Sequence, residues 1–169
     1  VQYAQTAGDK GCYCGYRYGI LFLRLKKEVE EIFTHMSEEM KARVLFFVED
    51  EPDIVELYTI AFEGSGFQVQ SINNGKEALE ALSQFTEEDV SKPNVMILDI
   101  LLPDASGMDI LREARKNPLF DNTPIIMFTN FSSDEIRSEI DKLKNTRYLL
   151  KMEVTPDQLV ETIKDMLGL

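Results

Sequence analysis

From Lys41 onward, short apolar runs alternate with longer stretches in which apolar residues recur every three or four positions. The runs fall at 44–48, 67–71, 95–99, 125–129 and 147–150. Two of them, Val44-Leu45-Phe46-Phe47-Val48 and Val95-Met96-Ile97-Leu98, are continuously apolar, as suits strands buried on both faces. Between the runs the period lengthens to that of a helix, near 53–64, 75–85, 106–116, 133–144 and 156–167. Five β–α repeats of this kind predict an α/β fold, a parallel sheet flanked by helices.

Local punctuation agrees with that division. Ser65-Gly66 closes the first helix. Asn74-Gly75 breaks the chain before a helix that opens with Lys76 and Glu77. Pro93 and Pro124 each come just before a strand, where a missing N–H is tolerated. Thr155-Pro156 supplies an N-cap and a first-turn proline for the last helix, whose buried side is expected to carry Leu159, Ile163, Met166 and Leu167.

Residues 1–40 read differently and form an N-terminal extension to a main domain at 41–169. Cys12, Cys14, Tyr3, Tyr13, Tyr16 and Tyr18 crowd into its start. A helix is predicted from about Tyr18 to Met40, with Phe22, Leu25, Val29, Ile32 and Met36 along one face. It reads as a dimerisation helix, as a helix lying on the domain, or as a stretch foreign to the native protein. Barely two heptads are present, short of what a coiled coil needs. Val1 is not a normal initiator, and Met36 or Met40 stands just before the domain.

Charge narrows the function classes. The formal net charge is -12, nearly all of it outside the first forty residues. An acidic chain is a poor nucleic-acid binder and a good match for cations or basic patches on proteins. Two cysteines cannot close a zinc site and imply no disulfide framework, so a reducing, cytoplasmic setting is expected. No apolar stretch approaches the roughly 20 residues of a membrane span.

In an open parallel sheet, ligands bind at the carboxyl ends of the strands. The first strand ends in Glu49-Asp50, with Glu51 next, the third in Asp99, the fourth in Thr129 and the fifth in Lys151. The second offers nothing comparable, as expected of an edge strand in the order 2-1-3-4-5. Carboxylates converging on one rim repel unless a cation joins them, and an oxygen-only set favours Mg²⁺. An aspartate can act as a nucleophile toward phosphorus, with an ammonium and a hydroxyl to hold the phosphoryl oxygens. Any one of these residues alone is more often a solvated or capping group. The set taken together points to a phosphoacceptor site centred on Asp99.

Those residues carry a resemblance. Val44-Leu45-Phe46-Phe47-Val48-Glu49-Asp50-Glu51 resembles the first strand and acidic pair of response-regulator receiver domains, the CheY-like family. Residues 95–107 are similar to that family's phosphorylation strand and Pro-x-x-x-Gly loop, ending here in Pro103-Asp104-Ala105-Ser106-Gly107. Ile125-Ile126-Met127-Phe128-Thr129 resembles its switch-threonine strand, and Tyr148-Leu149-Leu150-Lys151 its switch aromatic and lysine. The resemblance covers about residues 42 to 169. It implies a flavodoxin-like (βα)5 doubly wound sheet and phosphorylation on Asp99. It implies Mg²⁺ bound by Asp50, Asp99 and the backbone carbonyl of Leu101, with Glu49 acting through metal-bound water. It also implies that Lys151 pairs with the phosphoryl group, and that Thr129 and Tyr148 form a conformational switch. The partners it implies are a sensor histidine kinase or histidine phosphotransfer protein and a downstream protein target.

Three positions depart from the family's pattern. Asn130 stands where a small residue is usual, and Met152 replaces the proline that follows the lysine in a cis peptide. A trans bond and a reshaped loop are expected there, because a non-proline cis bond costs roughly 2.5–4 kcal/mol. Leu101 and Phe131 flank the site where polar residues often tune hydrolysis. Aspartyl-phosphate phosphatases have a second aspartate two residues after the first, and Leu101 occupies that place, so a turnover enzyme is not expected. The chain stops at Leu169, close after the last helical pattern, which gives the expectation of a single-domain regulator or phosphorelay shuttle. The alternative is a pseudo-receiver that keeps the fold and binds partners without phosphorylation.

Overall fold

The computed structural model describes Arg24, Lys26 and Lys27 and then residues 43–169. The chain divides into two units, Val1–Lys41 and Ala42–Leu169, and the second carries every element below. The helix expected from about Tyr18 to Met40, and the dimerisation reading attached to it, lie outside the described residues apart from those three side chains.

Five parallel strands form one sheet: β1 (Arg43–Val48), β2 (Phe67–Ile72), β3 (Val95–Leu98), β4 (Ile125–Thr129) and β5 (Thr146–Leu150). Their order is β2-β1-β3-β4-β5, the order expected from the sequence, with β2 at an edge. β1, β3 and β4 are central, and almost every residue in them is buried, which is why their sequences are apolar without alternation. The helices are α1 (Pro52–Gly64), α2 (Gly75–Gln84), α3 (Gly107–Lys116), α4 (Asp134–Ile140) and α5 (Pro156–Leu167). Short 3₁₀ turns follow α3 (Pro118–Phe120) and β5 (Lys151–Glu153).

Two apolar layers cover the sheet. Phe46, Val48, Met96, Leu98 and Met127 face α2 and α3 side chains such as Leu82, Ile110 and Leu111. Leu45, Phe47, Ile97, Ile126 and Phe128 face α1 and α5 through Tyr58, Phe62, Leu159 and Ile163. The alternation along β1 and β3 therefore divides two cores rather than core from solvent. Val160 takes a buried place on α5, while Met166 and Leu167 are only partly buried.

The predicted caps are present. Asn74 accepts from the Glu77 N–H, and Thr155 with Gln158 forms a capping box on α5. The helix expected at 133–144 ends at Ile140 instead. Lys142 and Leu143 make tight turn bonds to Glu139 and Ile140, and Asn145 then takes a left-handed φ of 53°. The chain must reverse there so that the Asn145 carbonyl can meet the Ile125 N–H and β5 can begin. Leu143 still packs on the core, which explains the helix-like period in a non-helical segment.

Candidate functional site

The carboxyl ends of β1, β3 and β5 bring four charged side chains into contact. Glu49 follows β1, and its backbone N–H donates to the Ile72 carbonyl of β2 at 3.0 Å. Asp99 follows β3, and its N–H donates to the Val48 carbonyl at 3.0 Å. Lys151 opens the turn after β5, and its side chain is only 4% exposed. Its Nζ donates to Asp99 Oδ2 at 2.7 Å and to Glu49 Oε1 at 2.9 Å, and also reaches Glu51 Oε1 at 3.3 Å.

One buried ammonium thus serves three carboxylates. Burial alone pulls the Lys151 ammonium toward losing its proton, but the bonds and charges of Asp99 and Glu49 outweigh it and hold its pKa above the ordinary value. Glu49 is fully buried, and that burial pushes its carboxyl up; Lys151 pulls it back only in part, and the Asp99 charge adds to the rise. The two shifts share a cause: the lysine has more anions than it needs, and the deepest carboxylate has too little cation.

That imbalance fits a divalent ion. Among the described residues, Glu49, Asp50 and Asp99 offer carboxylate oxygens that all lie within 4.8 Å of one another. Glu49 Oε2 is buried and lies 2.7 Å from Lys151 Nζ, yet it has no partner with hydrogen-bond geometry. Hard oxygen donors in a pocket of net negative charge suit Mg²⁺.

The backbone around Asp99 is held tightly. The Leu101 N–H donates to Asp99 Oδ1 at 3.1 Å, and the Gly107 N–H to the Ile100 carbonyl at 3.1 Å. A Cβ at Gly107 would lie 1.9 Å from the Asp99 carbonyl oxygen, so only glycine lets α3 begin this close to the strand. Thr129 ends β4 fully buried, and its hydroxyl accepts the Phe131 N–H at 3.2 Å, a bond within its own loop. Tyr148 is buried on β5, donates its hydroxyl to the Phe131 carbonyl, and lies under the Arg137 guanidinium at 5.7 Å. Both ends of the Phe131 backbone are therefore engaged, one by Thr129 and one by Tyr148.

The departures from the family pattern have definite places. No peptide bond among the described residues is cis. Met152 is 81% exposed and Asn130 also faces solvent, while Lys151 remains seated among the carboxylates. Leu101 and Phe131 are both exposed beside the site.

Two residues escaped the sequence reading. Asp104 accepts from the Gly75 and Lys76 N–H groups across the rim. Slight desolvation pushes its carboxyl up, and those two backbone bonds pull it further down, below the ordinary value. Arg115 joins the carbonyls of Phe120, Thr123 and Asn145 with the Thr146 hydroxyl at the far end of the sheet. Their partners are mostly main-chain groups, which leave no mark in a sequence.

The domain has relatives among known proteins. The family model of the response regulator receiver domain matches residues 45–164. The response regulator SaeR of Staphylococcus aureus is 32% identical over 123 residues, covering 73% of this chain and 50% of that protein. The DNA-binding response regulator MtrA of Mycolicibacterium smegmatis is 33% identical over 92 residues, covering 54% of this chain and 36% of that protein. The chain thus spans about a third to a half of the length of these curated relatives. A CheY-like response regulator receiver domain protein from Methanospirillum hungatei superposes with a TM-score of 0.65 at 26% identity, over 75% of this chain and 94% of that one.

Proposed function

Since the chain belongs to the response regulator receiver domain family of two-component signalling, we propose that Asp99 accepts a phosphoryl group and that Thr129 and Tyr148 transmit the change. The observation that carries this reading is the Lys151 ammonium, buried and 2.7 Å from Asp99 beside the Glu49–Asp50–Asp99 cluster. A buried lysine shared among carboxylates is costly to keep for stability alone. It is well placed to take up the charge of an incoming phosphoryl group.

The proposed donor is a phosphohistidine on a sensor kinase or histidine phosphotransfer protein. An Asp99 carboxylate oxygen attacks phosphorus, the P–O bond forms as the P–N bond breaks, and the leaving imidazole takes up a proton. Asp50, Asp99 and the Leu101 carbonyl, with Glu49 behind, would hold Mg²⁺, which would supply positive charge to offset repulsion between the two anions. Lys151 exchanges its bond to Asp99 Oδ2 for one to a phosphoryl oxygen while keeping its bond to Glu49. Leu101 offers no acid or base two residues from the nucleophile, which supports a phosphoacceptor over a turnover enzyme.

Thr129 then donates its hydroxyl to a phosphoryl oxygen while still accepting the Phe131 N–H. That move pulls on a backbone unit whose carbonyl is held by Tyr148, so the loop and the aromatic ring shift together. Around the site, α1 exposes Leu57 and Ile60 beside Asp53 and Glu56, a mixed apolar and acidic surface that suits a protein partner better than a phosphate backbone. No helix among the described residues is long and apolar enough to cross a membrane. The relative MtrA is named as DNA-binding; the output of this chain is proposed to be a protein contact.

The test is beryllofluoride, a phosphoryl mimic, added with Mg²⁺ while the amides of residues 129–131 and the ring of Tyr148 are followed by NMR. Shifts at both, abolished by a chelator, are expected. A pseudo-receiver shows neither, and that result overturns the reading.

A further inference from the structure

Two loops flank the carboxylate cluster, and one side chain ties them together. The first loop follows β3 and runs from Asp99 to Ser106. Its base is closed: Leu101 pairs with Ser106 in an antiparallel bridge, and Ser106 Oγ donates to the Ile100 carbonyl at 3.3 Å. The same base bonds the phosphoacceptor side chain, through the Leu101 N–H and Asp99 Oδ1. The second loop follows β2, where Asn73 shares a groove wall with Glu49 and Asp50 before α2 starts.

Asp104 sits at the outer tip of the first loop. Its Oδ1 accepts the Gly75 N–H at 2.8 Å, and its Oδ2 accepts the Lys76 N–H at 3.2 Å. The first amides of a helix have no partner within the helix and favour an anion. Asn74 caps only the Glu77 N–H, so Asp104 takes two amides that the local cap leaves. Packing holds the loops as closely as bonding does. A Cβ at Gly75 would lie 2.8 Å from the Ala105 Cβ and 3.2 Å from the Ala105 carbonyl oxygen.

The tip of the β3 loop is therefore anchored on α2, while its base carries the Leu101 main chain beside Asp99. Mg²⁺ accepts little deviation from octahedral geometry, and a ligand carbonyl on an untethered loop would have to be ordered at each binding event. We infer that Asp104 is a positioning residue for the divalent cation, fixing the Leu101 main chain by tethering its loop to the N-terminus of α2. This rests on the Mg²⁺ reading of the site. Removing a partner that orients a metal ligand typically weakens binding 10–100-fold.

The experiment is isothermal titration calorimetry of MgCl₂ into the full chain, with metal-free urea unfolding of each variant alongside. Asp104→Ala is expected to bind Mg²⁺ about tenfold more weakly, at the lower end of that range. Asp104→Asn keeps one acceptor oxygen and should fall between it and wild type. Gly75→Ala leaves Asp104 in place but pushes Ala105 away, and should weaken binding in the same direction. It also keeps the inference open to refutation should Asp104→Ala not fold. Asn94→Ala removes a comparable bond, Val44 N–H to Asn94 Oδ1 at 2.7 Å, at the opposite end of the sheet, and should leave affinity unchanged. Wild-type affinity in Asp104→Ala overturns the inference, as does an equal loss in Asn94→Ala. If wild type itself takes up no Mg²⁺, the cation reading fails and the inference fails with it.

Discussion

Replacing Lys151 by methionine removes the one cation from a cluster of buried carboxylates while keeping a similar volume. Lys151 Nζ lies 2.7 Å from both Asp99 Oδ2 and Glu49 Oε2, and these side chains are 6% and 0% exposed. At an effective dielectric constant near 20, each contact is worth about 6 kcal/mol of gross attraction. Desolvation of three ions consumes most of that, so the intact arrangement adds little net stability. Breaking it is different, because two carboxylates are stranded together without a counter-charge. The loss should be about 3–5 kcal/mol at pH 7 in a chelator. With a urea dependence of about 1–3 kcal/mol per molar, the unfolding midpoint should fall by roughly 1–5 M. The double variant Lys151→Met with Glu49→Gln should recover a large part of the loss, since the deepest charge is then absent.

The pH dependence has a definite sign. Glu49 has a folded pKa raised by burial above its ordinary value of 4.5, so the folded state holds that proton more tightly than the unfolded chain does. Its contribution to stability is present below 4.5 and is lost as pH rises through the raised folded value. Removing Lys151 takes away the influences that pull Glu49 down, so the deficit of the methionine variant should be small in acid and grow toward neutrality. A loss under about 1 kcal/mol at pH 7, with no recovery in the double variant, would show that the cluster is solvated and refute the reasoning.

Three further outcomes follow from named contacts. Gly107→Ala should cost about 1–3 kcal/mol in urea unfolding, because its Cβ would overlap the Asp99 carbonyl at 1.9 Å and α3 must shift. Arg115→Ala should lower stability by about 1–3 kcal/mol, since it leaves the Thr123 carbonyl without its partner, and should leave phosphoryl uptake at Asp99 unchanged. Polar substitution of both Leu101 and Phe131 should shorten the lifetime of the phosphorylated form by admitting water; a lifetime of seconds that the double substitution does not change would sink that idea.

Much of this was legible in the chain because its signals are local. Continuous apolar runs marked β1 and β3, and proline, glycine and cap residues marked most helix ends. The charged site was legible because parallel topology sends the residue after each strand to one rim, so Glu49, Asp50, Asp99 and Lys151 group from their sequence positions alone. The misjudged stretch was 141–144, where Leu143 continues a helical period while the backbone has already turned. Periodicity reports which side chain faces the core and says nothing of the φ at Asn145 that ends the helix. Asp104 and Arg115 were invisible for another reason: they satisfy main-chain groups up to about thirty positions away, and any residue can supply those. The seat of Lys151 after a non-proline turn likewise depends on three dimensions: the trans turn directs Met152 to solvent and leaves Lys151 among the carboxylates.

Intact mass after incubation with acetyl phosphate, with and without Mg²⁺, puts the role of Asp99 to the most direct test. Wild type should gain a single phosphoryl group only when Mg²⁺ is present, and Asp99→Asn should gain none. Equal uptake by Asp99→Asn, or an unmodified wild type under both conditions, would contradict the assignment.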